Sequence, residues 1–247
     1  PFAWMLSASF KQDNAIFNFP IEWIPSVPTM QNYIRVWASD VPFFRFFLNS
    51  VKVSGFSLLG EVCTSALAAY AFAKIKFKGR DIIFLIYLST LAFPAQMMLI
   101  PRFVLFKQVG ILNTHWALIL PGMFTAFGTF MLRQAFLSIP EEICESAKID
   151  GASHFVIFSR IVCPLAKASF SALIIFQFVS ALNEYEAPLV YIRNKALATI
   201  PLGLNFFRDE NSASYGAIMA ASVCSLIPIF IVFLIFQKQF VAGIATT

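Results

Sequence analysis

Hydrophobic positions along this chain gather into long blocks parted by short polar stretches, and the strict alternation of half-buried strands is absent. The clearest block, residues 43–73, is helical in composition. At 1.5 Å per residue it would reach roughly 46 Å, enough to cross a bilayer core and protrude. Lys74-Ile-Lys-Phe-Lys-Gly-Arg80 interrupts the pattern with four cations in seven residues. A further block at residues 82–106 should be kinked or broken near Pro94 and Pro101, because proline lacks a backbone donor. After a short turn at residues 110–114, another block runs over residues 115–136 with Pro121-Gly122 inside it. A polar stretch at residues 137–167 precedes a fifth span at about residues 168–190. A polar loop at residues 191–214 leads to a sixth at about residues 215–240. At the start, residues 1–10 read as the end of a helix that begins before this chain does. Residues 11–42, punctuated by Pro20, Pro25 and Pro28 and carrying Trp23, Tyr33 and Trp37, read as an ordered interfacial loop. The pattern therefore predicts an all-α membrane protein with six spans, of which the first is clipped. Residues 43–247 form its core.

Composition sharpens this picture. The 247 residues are 59% hydrophobic and 13% charged, with 30 Phe. A soluble domain of this length needs far more charge to cover its surface, so the excess apolar side chains face lipid. The net charge of +5 does not make a nucleic-acid binder, because no basic patch interleaved with aromatics lies in a soluble segment. Cys63, Cys144, Cys163 and Cys224 have neither CxxC nor metal-ligand spacing and read as small packing residues. The basic loop at residues 74–80 and the stretch at residues 137–167 lie two spans apart, which puts them on one side. The density of cations in the first marks that side as cytoplasmic. The overall tally does not help, since the 18 Lys and Arg divide evenly, nine to a side.

The polar stretch has an internal design. Ser138 followed by Glu141 has the form of a capping box, with Pro140 tolerated in the first turn. Ile139, Ile143 and Ala147 recur at helical spacing as an apolar stripe, with Glu141, Glu142, Glu145 and Lys148 on the other face. Asp150-Gly151 should end this helix, since glycine accepts the left-handed conformation of a sharp exit. A second helical stretch with Phe155, Phe158 and Ile161 leads to Pro164. The result is a helix–turn–helix hairpin outside the bilayer, which either connects two spans or docks onto another protein.

The string Glu145-Ser-Ala-Lys-Ile-Asp-Gly-Ala152, continuing to Ile161-Val-Cys-Pro164, strongly resembles the EAA motif of bacterial ABC-importer permeases. Phe47-Leu-Asn-Ser50, Ala68-Ala-Tyr-Ala-Phe-Ala73, Leu99-Ile-Pro101, Phe127-Gly-Thr-Phe-Met-Leu-Arg-Gln134 and Met219-Ala-Ala-Ser222 resemble the carbohydrate branch of that family, the maltose-type second permease subunit. Ser146 and Cys163 depart from the usual Ala and Leu, both as small or apolar exchanges. The resemblance implies an ABC type I importer permease fold of six transmembrane helices with a cytoplasmic coupling hairpin at residues 138–164. It implies that Glu145, Ser146, Ala147, Asp150, Gly151 and Ala152 seat in a cleft of a separate ATPase, with Gly151 allowing close backbone approach. The implied partners are a second permease subunit, two ATPase subunits and an extracytoplasmic sugar-binding protein. ATP and Mg would reside on the ATPase partners, with no cofactor in this chain. The implied location is the bacterial cytoplasmic (inner) membrane. Disaccharides, oligosaccharides, glycerol phosphate and acidic polysaccharide fragments all use this branch, so the carbohydrate stays open.

Polar residues within spans face the bundle or a wet cavity, because an ionised group at the bilayer centre costs about 2.5–3.5 kcal/mol. Glu61 shares a helical stripe with Ser50, Ser54, Ser57 and Ser65, which fits either an interior packing face or a substrate contact. The resemblance places Asn183, Glu184, Tyr185 and Glu186 near the transport path, where carboxylates and an aromatic ring suit sugar hydroxyls. A helix end at the outer interface would carry the same residues. In the polar loop at residues 193–212, the resemblance points to Asn205, Phe206 and Phe207 as contacts of the binding protein. An interfacial aromatic anchor is the alternative there. A secondary transporter working without an ATPase is the competing function, but no internal repeat of the kind those carriers use is found. Neither His115 nor His154 lies in an HExxH context, and no GxSxG or P-loop occurs, so the chain is expected to be a non-enzyme.

Overall fold

The computed structural model describes residues 1–38, 41–207 and 214–245, and among these no strand occurs. Its axis is α3 (Phe43–Lys74), a helix of 32 residues that spans about 48 Å. Helices α6 (Trp116–Gly122), α7 (Ala126–Leu137) and α11 (Lys167–Asn183) pack around it, and α14 (Tyr215–Ala245) lies on α11. The contact face of α3 is the polar stripe: Ser50, Ser54, Ser57, Glu61 and Ser65 are all buried. Small side chains on that face let neighbouring backbones come close, which is how helices associate where no water drives them together.

Three stretches are long and apolar enough to cross a membrane without a sharp bend: Phe43–Lys74, Trp116–Leu137, in which α6 and α7 run in series, and Tyr215–Val241. Two more are bent pairs. The first joins α4 (Arg80–Ser89), with the 3₁₀ turn that extends it to Ala92, to the stretch Ala95–Val109 at 94°. The second bends by 77° between His154–Leu165 and α11. Counting each pair once gives up to five crossings. The expected sixth would rest on α1 (Phe2–Ser9), whose 8 residues cover about 12 Å of a core about 30 Å thick.

The break expected near Pro94 is present, while the one expected at Pro101 is not. Pro101 occupies the third position of α5 (Leu99–Val109), where a helix has no internal acceptor for the N–H that proline lacks. The fifth span also differs from the expected single block at residues 168–190. Helix α11 stops at Asn183, Glu184 turns extended with ψ 121°, and α12 (Glu186–Tyr191) starts anew. Pro188 within the block makes an unbroken helix costly.

Short helices close the end of the bundle at which α3 begins. Helix α2 (Gln31–Ala38) packs on α14, and buried Asn32 donates to the carbonyls of Ser9 and Lys11 at 2.9 and 2.7 Å. Asp13 accepts from the backbone N–H of Gly216 at 2.7 Å and from Arg35 at 3.0 Å. Helix α13 (Ile200–Gly203) rests on α3, and the Ile200 N–H donates to Ser50 Oγ at 2.7 Å. Outward, Ile82, Leu85 and Ile86 of α4 and Phe230, Leu234 and Ile235 of α14 are all exposed. Such continuous apolar surface is stable only against lipid or another helical subunit.

Candidate functional site

The hairpin hangs from the end of the bundle at which α3 and α7 finish. Helix α8 (Glu141–Ile149) ends in a Schellman turn: the Gly151 N–H donates to Lys148 O at 3.0 Å and the Ala152 N–H to Ala147 O at 2.9 Å, with Gly151 at φ +81°. This left-handed exit is the one the sequence called for. Then follow α9 (His154–Ile157), a single π turn over Phe158–Val162, and α10 (Cys163–Leu165). Ser153 caps α9 by accepting from the Val156 N–H at 3.4 Å.

Two details of the expected hairpin are corrected. Ser138 does not form a capping box with Glu141; it ends α7, its hydroxyl donating to Ala135 O at 2.8 Å, and Pro140 stands at the N-cap of α8. A serine at a helix end can serve either helix, and here the preceding one is nearer in register. The buried side of α8 is not Ile139–Ile143–Ala147 but Ile139, Cys144 and Ala147, packed on Ala69, Tyr70 and Phe136. Ile143 turns outward, 42% exposed. Beyond it, Ile149 and Phe155 are 87% and 70% exposed on either side of the Gly151 turn. Glu145, Asp150 and Gly151 are exposed, Ala147 and Ala152 half-buried. Ser146 returns its hydroxyl to Glu142 O at 2.8 Å. An added methyl at Gly151 would meet nothing within 4 Å inside this chain, so any close approach to Gly151 must come from another molecule.

The basic loop lies beside the hairpin. Lys74 donates to Ile139 O at 2.6 Å, and Lys76 pairs with Glu141 at 3.2 Å. That ammonium holds the Glu141 carboxyl below the usual carboxylate range. The two polar segments thus occupy one end of the bundle, as their spacing implied. His154 is exposed, with Nδ1 3.2 Å from the Tyr70 hydroxyl. Among the described residues no group of three or more His, Cys, Asp or Glu could hold a metal ion.

Toward the opposite end lies a cavity of about 210 Å³, lined by Ser57, Arg102, Thr125, Gln177, Ser180 and Glu184 among others. The breaks in the spans make it. Gln177 donates to Gly122 O at 3.2 Å where α6 stops, and Thr125 caps α7 by accepting from the Gly128 N–H at 3.1 Å. Glu184, just before the Tyr185 N-cap of α12, accepts from the Ala187 N–H at 3.0 Å. Glu61 stands behind this wall, 1% exposed, and accepts from the Thr125 hydroxyl. Glu186 accepts from Gln96 at 3.5 Å, Asn183 is exposed, and the Tyr185 hydroxyl accepts from Asn205 at 2.9 Å. The structure therefore brings Tyr185 and Asn205 together across 20 residues of chain. Phe206 stacks near Phe46 at 5.7 Å with the Lys195 ammonium 4.9 Å from its ring centre. Phe207 is buried, its ring centre 6.2 Å from that of Phe43. Residues 208–212 of this loop lie outside the described residues.

Two residues that shape the site were not singled out in the sequence, although Asn49 lies in the Phe47–Ser50 string that resembles the family. Asn49 is buried and donates to Ala196 O and Ala198 O, both at 2.9 Å, fixing the strap between α12 and α13 onto α3. Asn113, at φ 57°, accepts from the Arg193 and Asn194 N–H groups at 3.0 and 2.9 Å. Asparagine tolerates this left-handed backbone better than most residues, which is the only hint the sequence offered.

Residues 62–246 match the model of the family described as binding-protein-dependent transport system inner membrane component. The probable ABC transporter permease protein YurM of Bacillus subtilis is 33% identical over 252 residues, covering 100% of this chain and 82% of that protein. The arabinooligosaccharides transport system permease protein AraQ of the same species is 32% identical, covering 89% and 78%. The sulfoquinovosyl glycerol transport system permease protein SmoH of Agrobacterium fabrum is 33% identical, covering 99% and 86%. Among solved structures, a chain of a bacterial ABC transporter that imports the acidic polysaccharide alginate superposes with TM-score 0.85 at 25% identity, covering 97% of this chain and 90% of that one.

Proposed function

Because the chain belongs to the binding-protein-dependent transport system inner membrane component family, we propose that it passes a carbohydrate inward through the cavity beside Glu184, driven by an ATPase that grips the 138–164 hairpin. It is an inner-membrane, multi-pass permease subunit of an ABC importer and a non-catalytic one. Its partners are a second permease, two ATPase subunits and an extracytoplasmic binding protein. ATP and Mg bind on the ATPase subunits.

The observation that carries the coupling assignment is the hairpin's outward face. Ile143, Ile149 and Phe155 are exposed there, rimmed by Glu142, Glu145, Lys148 and Asp150. Outside a bilayer, such apolar exposure is stabilised by burial in a protein groove, while the charged rim sets register. ATP-driven closure of the ATPase pair then displaces the hairpin. The hairpin is packed on the ends of α3 and α7, so its displacement tilts the helices that line the cavity. Carbohydrates read onto this chain from the relatives because arabinooligosaccharides, galactooligosaccharides and glycerol phosphate are the named cargoes of similar permeases. Copurification tests the assembly directly. The tagged chain should bring down a second permease and two copies of a P-loop ATPase, and recovery alone or as a homo-oligomer would favour a secondary transporter.

In the cavity wall Glu184 offers an acceptor to sugar hydroxyls, and Tyr185 and Glu186, next to it in the chain but outside the lining, offer a stacking face and a second acceptor on the approach. Glu61 acts from behind by fixing Thr125, and Asn205 and Phe206 extend the wall toward the binding protein. Phe207, packed beneath them, supports that surface. Uptake and substrate-stimulated ATPase should both fall in Glu184→Gln and Glu186→Gln, about three- to tenfold for exchanging a charge-assisted hydrogen bond for a neutral one. Wild-type values for both variants would remove the pathway assignment.

A further inference from the structure

We propose that the cargo carries an anionic group, and that Arg102, Lys107 and Arg193 form a basic vestibule which receives it; this rests on the reading of the chain as a carbohydrate permease. Arg102 lines the inner cavity, while Lys107 and Arg193 line a second of about 440 Å³. Tyr191 borders both, so the two open around one side chain. None of the three cations forms an ion pair or a side-chain hydrogen bond among the described residues. Glu184 lines the same cavity as Arg102 and Glu186 follows two residues on, each carboxylate accepting one hydrogen bond, from the Ala187 N–H and from Gln96, and neither pairing with a cation among the described residues. Three unpaired cations against these two carboxylates leave this end with an excess of positive charge.

The surrounding framework fixes the backbone that carries these cations, whose side chains are exposed. The Tyr191 hydroxyl donates to Leu99 O at 3.1 Å, and its ring meets Phe106 edge-on at 5.4 Å, which ties α5 to α12. Asn113 pins the backbone of Arg193. Maintaining unpaired cations at this end also runs against the usual bias, since cations favour the cytoplasmic side of a permease and here nine of 18 Lys and Arg fall on the other side. A vestibule of like charges raises the local concentration of an anion and draws it inward. Arg102, exposed at the wall of the first cavity, then offers the planar fork that matches a carboxylate, sulfonate or phosphate. Ser57, Ser180 and Gln177 beside it suit the hydroxyls of the same molecule. A docking protein or a lipid headgroup could use the two outer cations, but neither accounts for an arginine inside a hydroxyl-lined cavity.

The test uses the complete importer with its binding protein in proteoliposomes, and a panel of oligouronates of two to five residues, each paired with its neutral methyl ester. The acids should be imported at least about tenfold faster than their esters, the ratio expected of one charge-assisted pair. Arg102→Gln should collapse that ratio toward one, and Arg102→Lys should recover part of it. Import of esters as fast as acids overturns the anionic-cargo inference while leaving the carbohydrate permease intact. An equal fall for acid and ester in Lys107→Gln/Arg193→Gln assigns those cations to protein docking and likewise overturns it. Failure to import any carbohydrate would overturn the underlying functional reading as well.

Discussion

Replacing Gly151 with leucine is expected to lower both sugar-stimulated ATPase and uptake by roughly 30- to 100-fold, while the chain still inserts in the membrane. Two costs combine. Gly151 sits at φ +81°, where a side chain with Cβ costs about 1–2 kcal/mol, so the Schellman turn between α8 and α9 loosens. On the proposed docking, a leucine would also intrude where a partner approaches the backbone, and overpacking of that kind costs about 1–3 kcal/mol. Gly151→Asn separates the two, because asparagine accepts the left-handed region but still adds bulk. Within the chain that bulk is harmless, since nothing lies within 4 Å of the position. If the asparagine variant is as defective as leucine, the defect lies in docking. If it is fully active, local strain accounts for the leucine result, and the close approach of a partner at Gly151 is refuted.

The second large effect is expected at Gly128, and its character is different. A methyl added there would lie 2.6 Å from Ser65 Oγ and 2.8 Å from Glu61 Oε1. These atoms belong to short or fully buried side chains on α3, the helix against which α7 packs. Gly128→Val must therefore push α7 off α3 or expel the Glu61 carboxylate from its bond with Thr125. Overpacking and a stranded buried carboxylate together cost about 3–6 kcal/mol, comparable to much of the stability of an ordinary domain. The expected result is loss of the protein from the membrane fraction and a sharp drop in its thermal transition in detergent. A compensating Ser65→Ala in the same chain should restore part of the yield, as contacts that share one space are not additive. Wild-type accumulation of Gly128→Val would show that the α3–α7 contact is far looser than its geometry.

Much of the architecture was legible from local signals. Crossing segments announce themselves through unbroken apolar blocks, because lipid demands the same solution at every position of a span. The turn at Gly151 was legible because a Schellman motif closes within six residues and depends on a single backbone dihedral. The break beside Pro94 followed from one missing donor. The apolar face of α8 was not legible, because Ile143 and Cys144 are adjacent and both hydrophobic. The ends of α3 and α7 choose between them, and those lie up to 75 residues away in sequence. Ser138 failed for a related reason, since a hydroxyl between two helices obeys whichever register is nearer.

The chain's own sequence determined that it is a helical membrane protein with a polar helix–turn–helix segment between two apolar blocks, since hydropathy, prolines and one glycine act through short-range constraints. That it is a permease was legible only through its resemblance to a family. Tertiary structure alone decided what meets what. It set Arg102 and Glu184 on one cavity wall, put Glu61 behind Thr125, and used Asn49 to clamp a strap about 147 residues distant onto α3. Contacts of that separation leave no periodic trace in a single chain, because they are fixed by how breaks in different helices align once the bundle has packed.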